Sequence, residues 1–335
     1  MPKCEMSMTA VSQPKVTVLV AVYNAGPFLR QCLDSLLSQT LRDIQIVCVD
    51  DASTDDSLQL LNAYALSDLR IEVIRHAQNL GLAKARNTAL KASRGEYVCM
   101  VDADDWLSPD ALEQAVKVFE AYRQTDAVLF RFVLAYADHI EDFPCQPFEV
   151  LDGHRACELS LTWKIHGLYM IRADIHKRYP YDDTCRVYSD ENTTRVHYAV
   201  CREVRCCAGI YYYRQHAASA THRLSVHKFD KLRAKESLIS SLQNLGVDTT
   251  TVVNQLWLDV IDVYMFYFVH GSKLTAADRR YGLQEIHRVW STIDRRVLSK
   301  PTTCKLGYYP CRSWLLFRIQ EWLYFTLRGF LGKNY

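Results

Sequence analysis

The sequence has almost no excess charge of either sign. Its 335 residues contain 40 lysines and arginines against 38 aspartates and glutamates, which leaves a formal net charge of +2. Nucleic-acid-binding proteins usually show a clear positive excess, because phosphate contacts supply much of their affinity. We therefore expect no nucleic acid partner. Hydrophobic residues make up 49% of the chain, which is enough for a large core and argues against a disordered protein.

Long uninterrupted apolar segments are missing as well. Residues 1–15 contain no apolar stretch of the kind that signal peptides have. The most apolar segment, Val252–Val269, is interrupted by Asn254, Asp259 and Asp262. We interpret it as a buried or half-buried helix and not as a membrane span. These absences predict a cytoplasmic location.

What is present is a regular alternation of strand-like and helix-like segments over residues 15–135. Val16–Val22 is rich in β-branched residues, as in a strand buried on both faces. The predicted strands are Val16–Val22, Ile44–Val49, Ile71–Ile74, Tyr97–Val101 and Ala127–Val133, and the predicted helices between them are Phe28–Ser38, Ser57–Leu66, Gly81–Ala92 and Pro109–Tyr122. This order predicts an α/β fold, Rossmann-like, with a mostly parallel central sheet flanked by helices.

The second half of the chain is less regular. Tyr136–Val150 has a loop-like composition, while Trp163–Ile171 and Glu203–Tyr213 resemble strands and Asp190–Val200 resembles a helix. Later segments all have helical periodicity: Ser225–Leu245, Thr251–His270, Ala276–Leu298 and Ser313–Leu331. We therefore predict a flexible tail over 1–14, an α/β domain over 15–224 and a helical C-terminal region over 225–335.

Three carboxylates occur within four residues at the end of the predicted strand Tyr97–Val101. They are Asp102, Asp104 and Asp105. Clustered carboxylates repel one another unless a positive group neutralises them, and ligands of parallel sheets bind at the carboxyl ends of the strands. The cluster predicts a site where Mg²⁺ or Mn²⁺ is shared with a diphosphate. An exposed acidic turn that caps the next helix is the alternative.

Two further loops lie at the same predicted edge of the sheet. In Asp50–Asp55, one carboxylate would accept the imide N–H of uracil, while Ser53 or Asp55 would also cap the following helix. Tyr23, at the end of the first strand, would stack on a flat base or else would be a core tyrosine.

The N-terminus of the third predicted helix carries two cations. Lys84 and Arg86 lie within the segment Asn79–Asn87, and helix N-termini favour anions. This indicates a phosphate contact. The alternative for Arg86 is an ion pair with an acidic turn.

These motifs, in this order and spacing, resemble the family 2 glycosyltransferases with the GT-A fold. The segments that carry the resemblance are Val16–Gln39, Val49–Ser57, Asn79–Asn87 and Gly95–Trp106. It covers about Lys15 to Tyr122, with one departure at Ala89, where many members of the family have glycine. It implies that residues 15–135 bind a nucleotide sugar and that residues 136–224 bind the acceptor.

The family's site roles carry over to matching positions. Tyr23 would pack on the uracil, Asp51 would bind the base, and the pair Asp102 and Asp104 would meet the ribose and the metal. The implied nucleotide-sugar-binding set is Val22, Tyr23, Asn24, Asp51, Lys84, Arg86, Asp102, Ala103 and Asp104. The implied metal set is Asp102, Asp104 and His222, with Mn²⁺ or Mg²⁺ as the cofactor.

The later half shows weaker similarity to the same family. Asp190 and Glu191 occupy the place of a Glu-Asp pair whose second member is the proposed catalytic base, but their order is reversed. The alignment favours Glu191, with Asp190 next, and the alternative is a charge that matches the helix dipole. Tyr211–His216 resembles a closing motif of the domain, and Trp163–Arg172 resembles a segment leading into the acceptor site. Diphosphate or acceptor contacts are predicted for Asp105, Trp106, Arg214 and His216.

The C-terminal segment Ser313–Leu331 combines aromatic and aliphatic residues with Arg312, Arg318, Arg328 and Lys333 around it. A helix of this type would lie in a membrane interface, pack on the α/β domain or form a homodimer contact. Family members that glycosylate lipid-linked acceptors meet them at the cytoplasmic face of the inner membrane, which makes peripheral membrane contact one of these expectations.

Taken together, the resemblance implies an inverting, metal-dependent enzyme that transfers a sugar from a UDP-sugar. The implied acceptor is a glycan or lipid-linked unit of lipopolysaccharide, capsule or exopolysaccharide. One alternative is a catalytically silent protein of the same fold that binds sugar nucleotides or glycans. The other is a nucleotidyltransferase, but such enzymes usually carry a Gly-rich basic loop after the first strand, and residues 23–27 lack one.

Overall fold

The computed structural model describes residues 13–184, 188–216, 226–304 and 307–332. The strands are β1 Val16–Val22, β2 Ile44–Asp50, β3 Ile71–Arg75, β4 Tyr97–Met100, β5 Trp106–Leu107, β6 Thr125–Ala135, β7 Ile140–Asp142, β8 Val150–Asp152, β9 Tyr169–Arg172 and β10 Glu203–Arg214. The helices are α1 Gly26–Leu37, α2 Ser57–Ser67, α3 Leu82–Ala92, α4 Ala111–Ala121, α5 Gly153–Leu161, α6 Ala173–Arg178, α7 Ser189–Val200, α8 Asp230–Asn244, α9 Thr250–His270, α10 Ala276–Thr292, α11 Lys300–Thr303 and α12 Trp314–Phe330.

The first half of the sheet is parallel, as the alternation predicts. Its order is β3-β2-β1-β4, and each of these neighbours pairs in parallel. Every residue of β1 and β2 is buried. Because helices cover both faces, two apolar clusters form, one with Leu29, Leu33 and Leu61 from α1 and α2, the other with Ala85 and Ala89 from α3.

The second half of the sheet is mixed. Strand β9 lies between β4 and β6 and pairs with both in the antiparallel direction. Strand β6 then pairs in parallel with β10, and β10 pairs in the antiparallel direction with the short β5. This arrangement brings the ends of β5 and β10 beside the acidic turn that follows β4. The sheet is therefore an α/β sheet with helices on both faces, and the helical C-terminal region is confirmed.

Three predicted segments differ from the structure, and one helix was not predicted. The strand predicted over Trp163–Ile171 is wrong in its first six residues, because only Tyr169–Arg172 pairs with β4 and β6. The segment Tyr136–Val150 contains the short β7. Helix α5 was missed, although the Asp152 side chain caps it by accepting the Arg155 backbone N–H at 3.0 Å. The helix predicted to Leu298 ends at Thr292, since Ile293 adopts an extended backbone.

The C-terminal helices share apolar contacts with the α/β domain. Leu238 and Leu242 of α8 and Val252 of α9 pack in one cluster with Ala156 of α5 and Tyr198 of α7. A second cluster, formed by helices α8 to α10 and α12, contains the fully buried Trp257, Phe317 and Phe325. The domain boundaries at 14/15 and 224/225 remain predictions.

By length and composition alone, one helix of the described residues, Thr250–Lys273, would be able to cross a membrane. Its side chains instead form a core: Trp257 and Val260 are fully buried in the C-terminal cluster. Asp259 forms an ion pair with Lys231 of α8 at 2.9 Å. These contacts agree with the prediction of a buried or half-buried helix.

Helix α12, which contributes Phe317 and Phe325 to the C-terminal apolar cluster, also carries a fully buried carboxylate, Glu321. Burial raises its pKa from 4.5 to about 8, so the folded state holds a proton that the unfolded state releases. The free energy of unfolding should therefore fall as pH rises from 4.5 towards 8, by up to about 1.4 kcal/mol per pH unit. We expect Glu321→Gln to remove this slope and to be more stable than the parent at pH 8, as measured by denaturant unfolding. If the free energy of unfolding changed with pH in the same way in both proteins, the prediction would be wrong. Glu149→Gln, at an exposed position, is the control and should keep the pH dependence of the parent.

Candidate active site

The loops after β1 and β2 are tied together at the carboxyl edge of the sheet. The backbone N–H of Asn24 donates to Ser53 Oγ at 3.1 Å, and that of Ala25 donates to Ser57 Oγ at 3.0 Å. The Thr54 backbone N–H donates to Asn24 Oδ1 at 2.8 Å. Asn24 adopts a left-handed backbone with φ 52°, a conformation that asparagine tolerates better than most residues. The first loop is thus fixed against the second.

Tyr23 is 51% exposed at this edge. Its neighbour Val22 is fully buried at the end of β1. The alternative of a core tyrosine is therefore wrong, and the ring is free to stack on a planar ligand.

Asp51 is almost completely buried and has three donors around its carboxylate. Its oxygens accept the backbone N–H groups of Leu80 at 2.9 Å and Gly81 at 2.8 Å. His76 Nδ1 lies 2.7 Å from Oδ1. Because a carboxylate offers about four acceptor positions, one remains for a base N–H. Asp51 therefore also holds the loop that precedes α3.

Arg86 links the acidic turn to helix α7. It is fully buried, and its Nη2 donates to Asp102 Oδ1 at 2.8 Å while Nη1 lies 3.6 Å from Asp190 Oδ2. The Tyr181 ring covers the guanidinium at 5.4 Å. The structure therefore has the ion pair between Arg86 and the acidic turn that the sequence offered as the alternative to a phosphate contact. Lys84, two residues earlier on the same helix, is exposed.

Replacing Arg86 should destabilise the fold. In Arg86→Met the partly buried Asp102 would lose its ion pair and would face Asp190 without a cation between them. Removing one partner of a buried pair costs about 3–5 kcal/mol, to be measured as the change in free energy of unfolding. Lys84→Met is the matched control on the same helix and should stay within about 0.5 kcal/mol of the parent. Equal stabilities of the two variants would contradict the pairing.

Asp105 holds the acidic turn against β10. It is 1% exposed, and its carboxylate accepts the Tyr211 hydroxyl at 2.9 Å and the Arg214 backbone N–H at 2.8 Å. Burial, together with Asp102 and Asp104, raises its pKa well above the usual range. The sequence placed Asp105 among diphosphate or acceptor contacts, but both its oxygens are bonded inside the protein. It thus positions the turn.

Asp104 lies beside a histidine from the end of β10. His216 Nε2 is 2.9 Å from Asp104 Oδ2, and His216 Nδ1 is buried without a hydrogen-bond partner in the described structure. No group of three or more metal-binding side chains occurs within the described residues. Mg²⁺ and Mn²⁺ nevertheless need only one or two protein ligands when phosphate and water complete the shell, so Asp104 with His216 fits such an ion. His222 lies outside the described residues.

The negative charge of the acidic turn also favours a bound cation. Partial burial raises the pKa of Asp102, Arg86 opposes that rise and Asp104 adds to it. Carboxylates with raised pKa values are those that a divalent ion would stabilise in the charged form. Ala103, between them, is 5% exposed.

Arg214 closes the other side of the turn. Its Nε donates to the Asp104 carbonyl at 2.7 Å, and its guanidinium lies 5.0 Å from the Phe28 ring and 4.6 Å from the Trp106 ring. The Trp106 ring is stacked on Tyr212 at 5.1 Å. Arg214 is thus held in place beside Asp104, where a diphosphate would meet its charge.

The two candidate bases at the start of α7 have different surroundings. Asp190 lies near Arg86 and its side chain is 47% exposed. Glu191 pairs with Arg195 of the same helix, whose Nη1 is 3.2 Å from Glu191 Oε2. The sequence favoured Glu191, but Asp190 is the one joined to the acidic turn through Arg86.

A cavity of about 340 Å³ is lined by Asp102 of the acidic turn and by both candidate bases, Asp190 and Glu191. Aromatic side chains form much of the remaining wall: Phe132, Phe143, Trp163 and Tyr213. Sequence reasoning marked Trp163–Arg172 as a segment leading into the acceptor site, but it did not bring these four aromatic side chains together. The aromatic wall escaped it because its members lie on β6, β10 and loops far apart in the chain.

The structure is that of an α/β domain with an acidic turn at the carboxyl edge of its sheet and a cavity beside that turn. Residues 17–178 match the model of the family described as glycosyl transferase family 2. The chain therefore carries a family 2 glycosyltransferase domain with the GT-A fold.

Curated bacterial glycosyltransferases are similar to parts of the chain. It is 33% identical to an uncharacterized glycosyltransferase, EpsJ of Bacillus subtilis, over 220 residues, which are 62% of this chain and 63% of EpsJ. It is 44% identical to the glycosyltransferase GlyA of Streptococcus pneumoniae over 114 residues, which are 34% of this chain and 16% of GlyA. The matches thus span less than two thirds of either relative.

Solved structures of TarS from S. aureus share the fold. The complex of TarS residues 1–349 with UDP-GlcNAc superposes with a TM-score of 0.72 at 18% identity, covering 95% of this chain and 92% of that chain. The complex with UDP gives a TM-score of 0.70 with the same identity and coverage. The likeness includes the helical C-terminal region, since nearly the whole chain is covered.

Proposed function

We propose that this protein is an inverting, metal-dependent glycosyltransferase. It would transfer a sugar from a UDP-sugar to a hydroxyl group of a glycan or lipid-linked acceptor in the synthesis of lipopolysaccharide, capsule or exopolysaccharide. The observation that carries the proposal is that Asp102, Asp190 and Glu191 line the same cavity. UDP and UDP-GlcNAc in the TarS complexes support a uridine donor.

The donor would lie across the three loops at the edge of the sheet. Tyr23 would stack on the uracil, the remaining acceptor position of Asp51 would take the imide N–H, and Asp102 would meet the ribose. Arg214 would contact the diphosphate, because its guanidinium is fixed by the Asp104 carbonyl and by Phe28.

Asp104 and His216 would hold Mn²⁺ or Mg²⁺. The ion would neutralise the charge that develops on the departing diphosphate. Arg86 adds a fixed positive charge behind Asp102, at 2.8 Å, and so limits repulsion between that carboxylate and the phosphates.

Asp190 would act as the general base. It would accept the proton of the acceptor hydroxyl while that oxygen forms a bond to the anomeric carbon of the donor sugar. The bond from that carbon to the UDP oxygen breaks, and UDP takes the bonding electron pair. Because UDP leaves from the face opposite the attacking hydroxyl, the configuration at the anomeric carbon is inverted. Glu191 is less suited because Arg195 engages its carboxylate.

Product analysis tests the proposal. Incubation with a panel of UDP-sugars, with and without Mn²⁺, should release UDP from one of them in a metal-dependent way. Release of pyrophosphate in a parallel incubation with UTP and sugar 1-phosphates would indicate the nucleotidyltransferase alternative. Binding of UDP-sugar without any product, in the presence of a range of glycan acceptors, would indicate the catalytically silent alternative.

Helix α12 supports peripheral membrane contact as part of the proposal. Large apolar side chains of this helix are exposed, namely Leu315, Leu316, Ile319, Trp322, Leu323, Leu327 and Phe330. The neighbouring Arg312 and Arg318 are exposed too, whereas the acidic Glu321 is buried. This combination complements an anionic lipid surface.

We expect the protein to sediment with phosphatidylglycerol vesicles and not with phosphatidylcholine vesicles. Trp322→Asp should reduce the bound fraction several-fold without changing the melting temperature, because that side chain is 55% exposed. A concentration-dependent dimer that Trp322→Asp dissociates would instead assign the surface to a homodimer contact.

A further inference from the structure

Trp163 lines the cavity and directly follows the C-cap of helix α5, where its backbone N–H donates to the Ser160 carbonyl at 3.2 Å and that of Lys164 donates to the Leu159 carbonyl at 3.0 Å. Trp163 adopts a left-handed backbone with φ 57°, and its side chain is 50% exposed. Such a conformation in a bulky residue costs on the order of 1–3 kcal/mol. Leaving half of the largest side chain in water also forgoes the gain from burial. The end of helix α5 accounts for the backbone conformation, which glycine usually adopts at this position, but it does not require an exposed indole ring.

The indole ring is supported from one side by a buried cation. The guanidinium of Arg195 lies 5.5 Å from the Trp163 ring, and Arg195 is 3% exposed. The same guanidinium pairs with Glu191 at 3.2 Å. The ring is therefore fixed as a wall of the cavity and connected, through Arg195, to helix α7.

The charges around the cavity exclude an anionic occupant. Three carboxylates line it, Asp102, Asp190 and Glu191, and two cations pair with them: Arg195 in the lining and Arg86 behind the two aspartates. Burial lowers the pKa of His166 to about 4, so this imidazole is neutral near pH 7. A uronate or phosphate in the cavity would meet net negative charge.

We propose that Trp163 is the platform of an acceptor subsite that takes a neutral pyranose. The C–H groups on one face of the sugar would pack on the indole ring, whose face carries negative charge. A hydroxyl on the same sugar would then reach Asp190, since both residues line one cavity. The inference rests on the proposed glycosyltransferase function and adds the class of acceptor to it.

Binding of simple glycosides to the protein saturated with UDP and Mn²⁺ tests the specificity. The probes are the octyl glycosides of glucose, galactose, N-acetylglucosamine and N-acetylgalactosamine, with octyl glucuronide and galacturonide as anionic counterparts, titrated by NMR saturation transfer. At least one neutral glycoside should bind ten times more tightly than its uronide. Equal binding of the uronides, or no binding of any neutral glycoside, would overturn the inference.

Three variants test the platform. Trp163→Ala and Trp163→Gly should each lower the affinity for the neutral glycoside that the parent binds, at least tenfold. Tyr122→Ala is the matched control, because Tyr122 is also a half-exposed ring, 46% exposed, stacked on an arginine, Arg205, at 3.8 Å. Its glycoside affinity should stay unchanged.

Stability separates recognition from folding. Glycine adopts a positive φ without strain, so Trp163→Gly should melt no lower than Trp163→Ala while losing glycoside affinity to the same extent. If both variants keep the parent affinity, the platform is not Trp163. Calorimetry with UDP is the independent readout: failure of UDP to bind the parent would refute the proposed function itself, whereas normal UDP binding with unaffected variants would refute only the acceptor subsite.

Discussion

Asp104→Ala should abolish sugar transfer while leaving the fold intact. The side chain is 37% exposed and its recorded partner is His216 at 2.9 Å, so its removal opens no core cavity. Loss of the carboxylate would remove the protein's main hold on the metal and leave charge on the departing UDP uncompensated. Stabilisation of that charge is worth several kcal/mol, which corresponds to a fall in kcat of about 10³-fold or more. UDP release measures it.

A binding measurement shows whether the loss acts through the metal. In the parent, Mn²⁺ should tighten UDP binding in calorimetry, and in Asp104→Ala this tightening should disappear. Asp43→Ala, an exposed aspartate before β2 at the opposite edge of the sheet, is the matched control and should behave as the parent. Turnover of Asp104→Ala with an unchanged response to Mn²⁺ would show that the acidic turn does not bind the ion.

Asp190→Asn should produce the second large effect. Asparagine keeps the size of the side chain and the oxygen that accepts the Glu191 backbone N–H at 2.9 Å, but it cannot take a proton. General base catalysis contributes about 10²–10⁴-fold, so kcat should fall by that factor. UDP binding should be unchanged, because Asp102 keeps its own bond to Arg86.

Glu191→Gln is the matched substitution one residue later. It should lower kcat by about tenfold or less, since Glu191 is engaged by Arg195 and is assigned to positioning. The opposite ranking, with Glu191→Gln the more damaging, would make Glu191 the base, as the sequence alignment favoured. Activities near the parent in both variants would place the base elsewhere.

Arg86 and Arg195 make the same kind of contact with helix α7. Each is a buried arginine that pairs with a carboxylate at the start of α7, Arg86 with Asp190 and Arg195 with Glu191. Arginine stays charged under these conditions, so both carboxylates face a fixed cation whatever ligand is bound. The acidic turn and the Trp163 ring are therefore connected through one helix, by Arg86 and Arg195.

By itself, the sequence determined the parallel half of the sheet and the position of the acidic turn. Apolar periodicity over short stretches is enough to define β1 to β4 with α1 to α4, and parallel strands bring their carboxyl ends to one edge. That rule selected the loops at Tyr23, Asp51 and Asp102 without any knowledge of contacts.

The tertiary structure alone decided which side chains meet. The pairing of Asp104 with His216 joins positions 112 residues apart, and strand β9 enters the sheet between β4 and β6 although neither is its neighbour in sequence. The partners of Arg86, the difference between Asp190 and Glu191, and the aromatic wall with Trp163 depend on such long-range packing. Local patterns carry no record of it, because backbone periodicity reports which face of an element is apolar and not which distant residue covers it.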